Sequence, residues 1–277
     1  MESNFYAEAL NWKGHGYFVS PVSSTDPRLK NNPDAALWLE VQAVLEDSRS
    51  GEFSKSVSLL KIHDQTQSGL LKWVCAQLLG DAGTTPCFTL MIQDLEESLD
   101  PDKAVAFCNA LGAWGGLSAV PAIVQSYERH FGFQDVEALP FYLSTMLEME
   151  WGPLAEKSAW ENPDTYVGLA MARYEVLKQK FGTDQVILLH GERFGVVWLA
   201  RRMLRSLGDS SFEKVMQPFY RRRLEASTGI DCSGFYKDRN FQPLTAAAIL
   251  EDFLESPEAA RYEEGVRYFF GHRIPEG

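Results

Sequence analysis

The sequence predicts an all-α protein, and three observations carry that expectation. Apolar residues recur at helical spacing in nearly every segment after Pro33. Proline and glycine separate those segments where helices would start and stop. No stretch alternates apolar and polar residues for long enough to build a sheet of any size.

Residues 1–32 are rich in aromatics, Gly, Ser, Pro and Asn, with Pro21, Pro27 and Pro33 as punctuation. They read as an irregular lead-in, with Gly16 to Val22 as its one plausible short strand. From Pro33 a proline-led helix runs to about Ser48 on Leu37, Val41, Val44 and Leu45. A second helix spans Phe53 to Ile62. A third runs from Gly69 to Leu79, where Leu71, Val74, Cys75 and Leu78 form a broad stripe and Gly80 reads as a stop. Pro86 to Leu99 is the next helix.

A short repeat then emerges. Gln77-Leu-Leu-Gly-Asp-Ala-Gly is echoed 32 residues later by Asn109-Ala-Leu-Gly-Ala-Trp-Gly, so Gly80 pairs with Gly112 and Gly83 with Gly115. Each copy precedes a further helix, Pro86 to Leu99 and Leu117 to His130, and helices near Val136 to Met149 and Thr165 to Phe181 would form a third unit, which lacks the glycine signature. The unit resembles a HEAT-like repeat, and Ala119-Val-Pro-Ala-Ile-Val is similar to the start of that family's second helix. One helical hairpin cannot bury both of its apolar faces, so neighbouring copies would stack and share a core. The alternative is an ordinary bundle with two similar turns.

The final third is helical with a different texture. Phe194 to Leu207 carries apolar residues on one side and Arg201, Arg202 and Arg205 mostly on the other. Phe212 to Ala226 carries Arg221, Arg222 and Arg223, which can bind an anion or pair internally with Glu213, Glu225 or Asp231. Helices over Gln242 to Leu254 and Pro257 to Phe270 close the chain, the second stopping at Gly271. The expected organisation is a lead-in (1–32), a HEAT-like α-solenoid of helical hairpins (33–182) and a C-terminal helical region packed on it (183–277).

Composition narrows the class of function. Of the 277 residues, 45% are hydrophobic and 23% charged, which supports a folded core and excludes extensive disorder. No apolar run approaches the length of a transmembrane helix, and the opening Met-Glu-Ser-Asn does not read as a signal peptide. Cys75, Cys87, Cys108 and Cys232 lack CxxC spacing and read as buried free thiols, so a cytoplasmic protein is expected. The net charge of −12 is concentrated: residues 91–164 hold 13 acidic and 3 basic side chains. Such a segment repels phosphate backbones and attracts cationic partners, or else serves only as a solubilising face. Neither nucleic-acid nor membrane binding is expected.

The chemistry-bearing patterns are weak. His15, His63, His130, His190 and His272 are scattered, and the His190-Gly-Glu192 pair is no metal signature, so no metal or cofactor is expected. Gly14-His-Gly-Tyr-Phe-Val fails the third-glycine position of a dinucleotide fingerprint. Asp231-Cys232-Ser233 reads as a turn, with Gly229 and Gly234 allowing positive φ. Neighbouring acids such as Glu96-Glu97 and Glu251-Asp252 diverge by about 100 degrees on a helix and cannot form a catalytic dyad. No catalytic residue is assigned and the chain is expected not to be an enzyme. The candidate partner-binding residues are Asp94, Glu97, Tyr127, Glu128, Glu148, Glu150 and Trp151, a mixture of acids for steering and aromatics for anchoring, with each aromatic also a candidate for the core.

A second resemblance lies in the C-terminal third. Arg223-Leu-Glu-Ala-Ser-Thr-Gly-Ile-Asp-Cys-Ser-Gly-Phe-Tyr, then Phe241-Gln-Pro-Leu and Gly265-Val-Arg-Tyr-Phe-Phe-Gly-His, is similar to bacterial immunity proteins of polymorphic toxin systems. That resemblance implies a cytoplasmic inhibitor that binds and neutralises a cognate toxin domain, and a basic nuclease would suit the acidic segment. The alternatives are a general HEAT-like scaffold for peptides or protein partners, and a HEAT-fold enzyme acting on nucleic acid, which the acidic charge disfavours.

Overall fold

The computed structural model describes residues 17, 29–133, 136, 138–148, 152–207, 211–237 and 240–276. It is 68% helix with little sheet, so the all-α class holds. In chain order the helices are α1 (Ala35–Arg49), α2 (Ser58–Gln65), α3 (Gly69–Ala82), α4 (Thr85–Glu97), α5 (Pro101–Trp114), α6 (Val120–His130), α7 (Ala138–Leu147), α8 (Lys157–Trp160) and α9 (Pro163–Phe181). After the hairpin β1 (Leu188–Leu189) and β2 (Glu192–Arg193) come α10 (Val196–Ser206) and α11 (Ser211–Thr228). The hairpin β3 (Tyr236–Lys237) and β4 (Asn240–Phe241) precedes α12 (Pro243–Glu255), and β5 (Tyr268–Phe269) with β6 (His272–Arg273) forms the last hairpin. No described helix is long and apolar enough to cross a membrane.

The helix boundaries follow the expected chemistry where caps are present. Asp100 accepts the amides of Asp102 and Lys103 ahead of Pro101, and Gly115 ends α5 in the left-handed region at φ +79°. Asn162 caps α9 through the amide of Thr165, and Gly182 ends it at φ +71°. All four cysteines are buried free thiols, and burial pushes the Cys75, Cys108 and Cys232 thiols up.

The chain divides into two compact units: Met1–Cys75 with Gly195–Glu276, and Ala76–Phe194. This division differs from boundaries at residues 32 and 182, because α1 and α2 join the C-terminal third. Within the Ala76–Phe194 unit, α4 packs on α6 and α6 on α9, while α5 packs on α7. The repeated glycines set two close approaches, of α3 to α5 and of α5 to α7. Gly80 does not stop its helix; α3 continues to Ala82. A Cβ at Gly80 would stand 2.8 Å from the Ala113 Cβ and 3.0 Å from the Ala110 carbonyl oxygen, and one at Gly112 would stand 2.8 Å from the Tyr142 Cβ. Both glycines are therefore inside helices, at points where a neighbouring helix comes too close for a side chain.

The first hairpin closes this unit. His190 (φ +55°) and Gly191 (φ +71°) form its two-residue turn, the backbone of a type I′ turn. Their amides donate to the Thr145 and Met146 carbonyls at the end of α7, at 2.8 and 2.9 Å, and Arg173 Nε donates to the Leu147 carbonyl at 2.9 Å. The left-handed histidine is thus held by the helix end that it satisfies.

The other unit repeats the device. Residues 257–270 were expected to be one helix, but only Pro257–Arg261 is helical, as a short 3-10 turn, and Tyr268 to Arg273 is a hairpin. The overturning feature is Phe270-Gly271, at φ +49° and +77°, whose amides donate to the Ala226 and Ser227 carbonyls of α11 at 2.7 and 2.9 Å. Gly271 is therefore a turn glycine and not a helix stop. Tyr17, the one described residue of the expected strand Gly16 to Val22, is buried edge-on against Phe269 and Phe270. Asp231 accepts the Ser233 amide at 2.8 Å in the expected turn, where Gly229 has φ +73°. Gly234 lies outside the positive-φ region; a Cβ there would stand 3.0 Å from Thr245.

Inside this turn lies a buried ion pair. Arg221 Nε stands 3.7 Å from Glu225 Oε2, both side chains are buried, and Glu225 Oε1 accepts the Cys232 amide at 3.2 Å. The internal-pairing alternative for the arginine run therefore holds for Arg221. Burial drives the Glu225 carboxyl up to about 7, against the opposing pull of Arg221.

Two outcomes follow. Gly80→Ala and Gly112→Ala each lower stability by about 1–3 kcal/mol through overpacking, whereas Gly168→Ala, in α9 with open space around it, raises stability by roughly 0.5–1 kcal/mol. Urea denaturation of the three variants checks the contrast. For Glu225, a folded pKa above the ordinary carboxylate value means the folded state holds the proton more tightly. Its contribution is present below about pH 4.5 and is lost as pH rises through about 7. Glu225→Gln should remove that decline, gaining at most about 3 kcal/mol on wild type between pH 4.5 and 8. Parallel stability-against-pH curves for the two proteins would contradict the assignment.

Candidate protein-binding surface

The acidic residues singled out from the sequence fall in the Ala76–Phe194 unit and are used differently. Asp94 is half-buried and ion-paired to Lys103, one helix along. Glu97 and Glu128 are exposed. Glu148 is half-buried, and its Oε2 accepts the Leu154 amide at 3.1 Å; burial raises its carboxyl above the ordinary range, with Arg173 opposing. Glu148 therefore braces the 3-10 turn Pro153–Ala155 and presents little to a partner. Glu150 and Trp151 lie outside the described residues.

Tyr127 is corrected from surface anchor to core. It is 2% exposed, its ring meets Tyr166 edge-on at 5.0 Å, and its hydroxyl donates to the Trp160 carbonyl at 2.7 Å. Its position one helical step from Val124 and Ile123 puts it on the apolar stripe of α6. Trp114 is also core, stacked on Phe88 at 4.3 Å.

The exposed acids cluster where α4 and α6 end. Arg129 on α6 reaches the end of α4, donating through Nη1 to the Leu95 and Ser98 carbonyls at 2.9 and 3.0 Å and through Nη2 to the Glu96 carbonyl at 2.7 Å. A guanidinium is suited to this, because its forked donors can satisfy several orphan carbonyls and its charge complements the helix C-terminus. This contact fixes the turn between α4 and α5 beside the turn that follows α6.

Apolar side chains that sequence reading missed stand on those two turns. Leu99 is 81% exposed, and Phe131 and Phe133 are 42% and 56% exposed. Around them are the exposed carboxylates Glu96, Glu97, Asp100, Asp102 and Glu128. Of the nearby cations, Lys103 is neutralised by Asp94, and Arg129, bonded to neutral backbone carbonyls, offsets one of the five carboxylates. The result is a negative field around solvent-facing apolar groups, an arrangement that can steer a cationic protein and then anchor it. Leu99 is hard to recognise from sequence because it continues the i, i+4 stripe of Leu95, yet α4 ends at Glu97.

The weaker chemical candidates have structural roles. His190 is the hairpin-turn residue, with its Nδ1 3.0 Å from the Glu148 carbonyl oxygen. No group of three His, Cys, Asp or Glu side chains among the described residues is arranged to hold a metal. No family model, curated protein or solved structure matches this chain.

Replacing Arg129 tests the architecture of this surface. Arg129→Ala should cost about 1–3 kcal/mol and speed amide exchange in residues 96–100, because three carbonyls lose a charged donor. Unchanged exchange there, measured by mass spectrometry or NMR, would show that the turn is held by something else.

Proposed function

We propose that the chain is a cytoplasmic, immunity-type protein that binds and neutralises a cognate toxin domain stoichiometrically and without catalysis. The observation that carries this reading is the joined pair of turns, where Leu99, Phe131 and Phe133 stand in solvent among five exposed carboxylates. A basic toxin, such as a nuclease whose groove takes a phosphate backbone, offers the complementary charge. The apolar groups supply the contact that charge alone does not.

The fold proposed for this role is a HEAT-like α-solenoid. Its support is the packing of α4 on α6 and α6 on α9 in one row, with α5 on α7 in a second. The glycine pair Gly80 and Gly112, spaced as repeats, sits at close helix approaches. Such an array also suits a scaffold with several partners, so partner number separates the two readings.

The test is a quantitative capture of proteins from native cells by tagged full-length chain. Wild type should retain one basic protein at equal stoichiometry. The variant Glu97→Lys/Leu99→Ser/Glu128→Lys should lose at least about tenfold in affinity for it with an unchanged thermal midpoint, since all three side chains are exposed. Equal affinity in the variant rejects this surface, and several weak partners in place of one favours the scaffold.

A further inference from the structure

The Met1–Cys75 and Gly195–Glu276 unit carries an open groove of about 570 Å³ along α10, in the size range of small-molecule sites. It is independent of the surface described above. Trp198, Arg201 and Arg205 line it at i, i+3 and i+7, so one face of α10 presents an indole followed by two guanidinium groups. Leu204 adds apolar surface, and Tyr262 and Glu264 form the facing wall.

The walls are held in place. Tyr262 packs edge-on against Tyr268 at 4.9 Å and Phe253 at 5.7 Å, and the Arg202 guanidinium lies 5.7 Å from the Trp198 ring. Arg201 and Arg205 are exposed and neither has a side-chain hydrogen bond or ion pair among the described residues, whereas Arg202 donates to the Tyr220 hydroxyl and Arg221 pairs with Glu225. Two cations four residues apart on a helix repel one another, and an anion lying between them would reverse that cost. Arginine forks fit the oxygens of phosphate, aromatic walls fit a flat ring, and a carboxylate accepts from ring or amino N–H groups.

We propose that this groove binds a free mononucleotide, with the phosphate on Arg201 and Arg205, the base against Trp198 and Tyr262, and Glu264 accepting a base N–H. The proposal does not depend on the inhibitor reading, since it concerns other residues and another ligand.

Titration calorimetry of the full chain tests it, using AMP, GMP, CMP and UMP, with adenosine and inorganic phosphate as partial ligands. At least one nucleotide should bind about tenfold or more tightly than adenosine or phosphate alone. Arg201→Ala/Arg205→Ala should weaken it by about tenfold or more, and Arg201→Lys/Arg205→Lys, which keeps charge but not the fork, should fall between. The thermal midpoint of the lysine variant guards against a folding artefact. Absence of binding by all four nucleotides at millimolar concentration overturns the proposal. So does equal binding of phosphate alone, or a double-alanine variant that is folded and binds like wild type.

Discussion

The backbone carbonyls at the ends of helices are the constraint around which this molecule is arranged. A helix leaves its last carbonyls without partners, and burial makes that costly. Here distant parts of the chain supply the donors. The His190-Gly191 turn serves α7, the Phe270-Gly271 turn serves α11, and Arg129 serves α4. In both hairpins a bulky residue is held in the left-handed region because its amide is needed there. The strain at His190 and Phe270 and the satisfaction of the helix ends are therefore two sides of one contact.

This constraint shapes the surface as well as the core. By tying the end of α4 to α6, Arg129 holds the turn carrying Leu99 in place and leaves its side chain in solvent. The buried Arg221–Glu225 pair shows the opposite use of charge: an arginine withdrawn into the fold beside the carboxylate that accepts the Cys232 amide.

Helical class was legible because apolar spacing is a local property, and most helices lie within a few residues of their expected bounds. Two departures have specific causes. Gly80 resembles a stop, but its missing side chain serves a helix crossing with Ala110 and Ala113, a contact invisible along the chain. Residues 257–270 have helical apolar content, while Phe270-Gly271 turns the chain back. A signal for that existed in the sequence: Val186-Ile-Leu-Leu-His-Gly-Glu-Arg-Phe and Val266-Arg-Tyr-Phe-Phe-Gly-His-Arg-Ile share valine, glycine and arginine at matching places, and both fold as hairpins. The candidate surface was half legible. Excess acid is countable, so Glu97 and Glu128 were found. Which aromatic faces water depends on tertiary packing, and Tyr127 and Phe131 are told apart only by the neighbours of α6.

The central claim is neutralisation of a toxic partner by binding. Its most direct test is growth of cells expressing the captured partner alone and together with this chain. The account predicts that the partner alone arrests growth and that equimolar chain restores it. A partner harmless by itself, or arrest that persists despite formation of the complex, would contradict it.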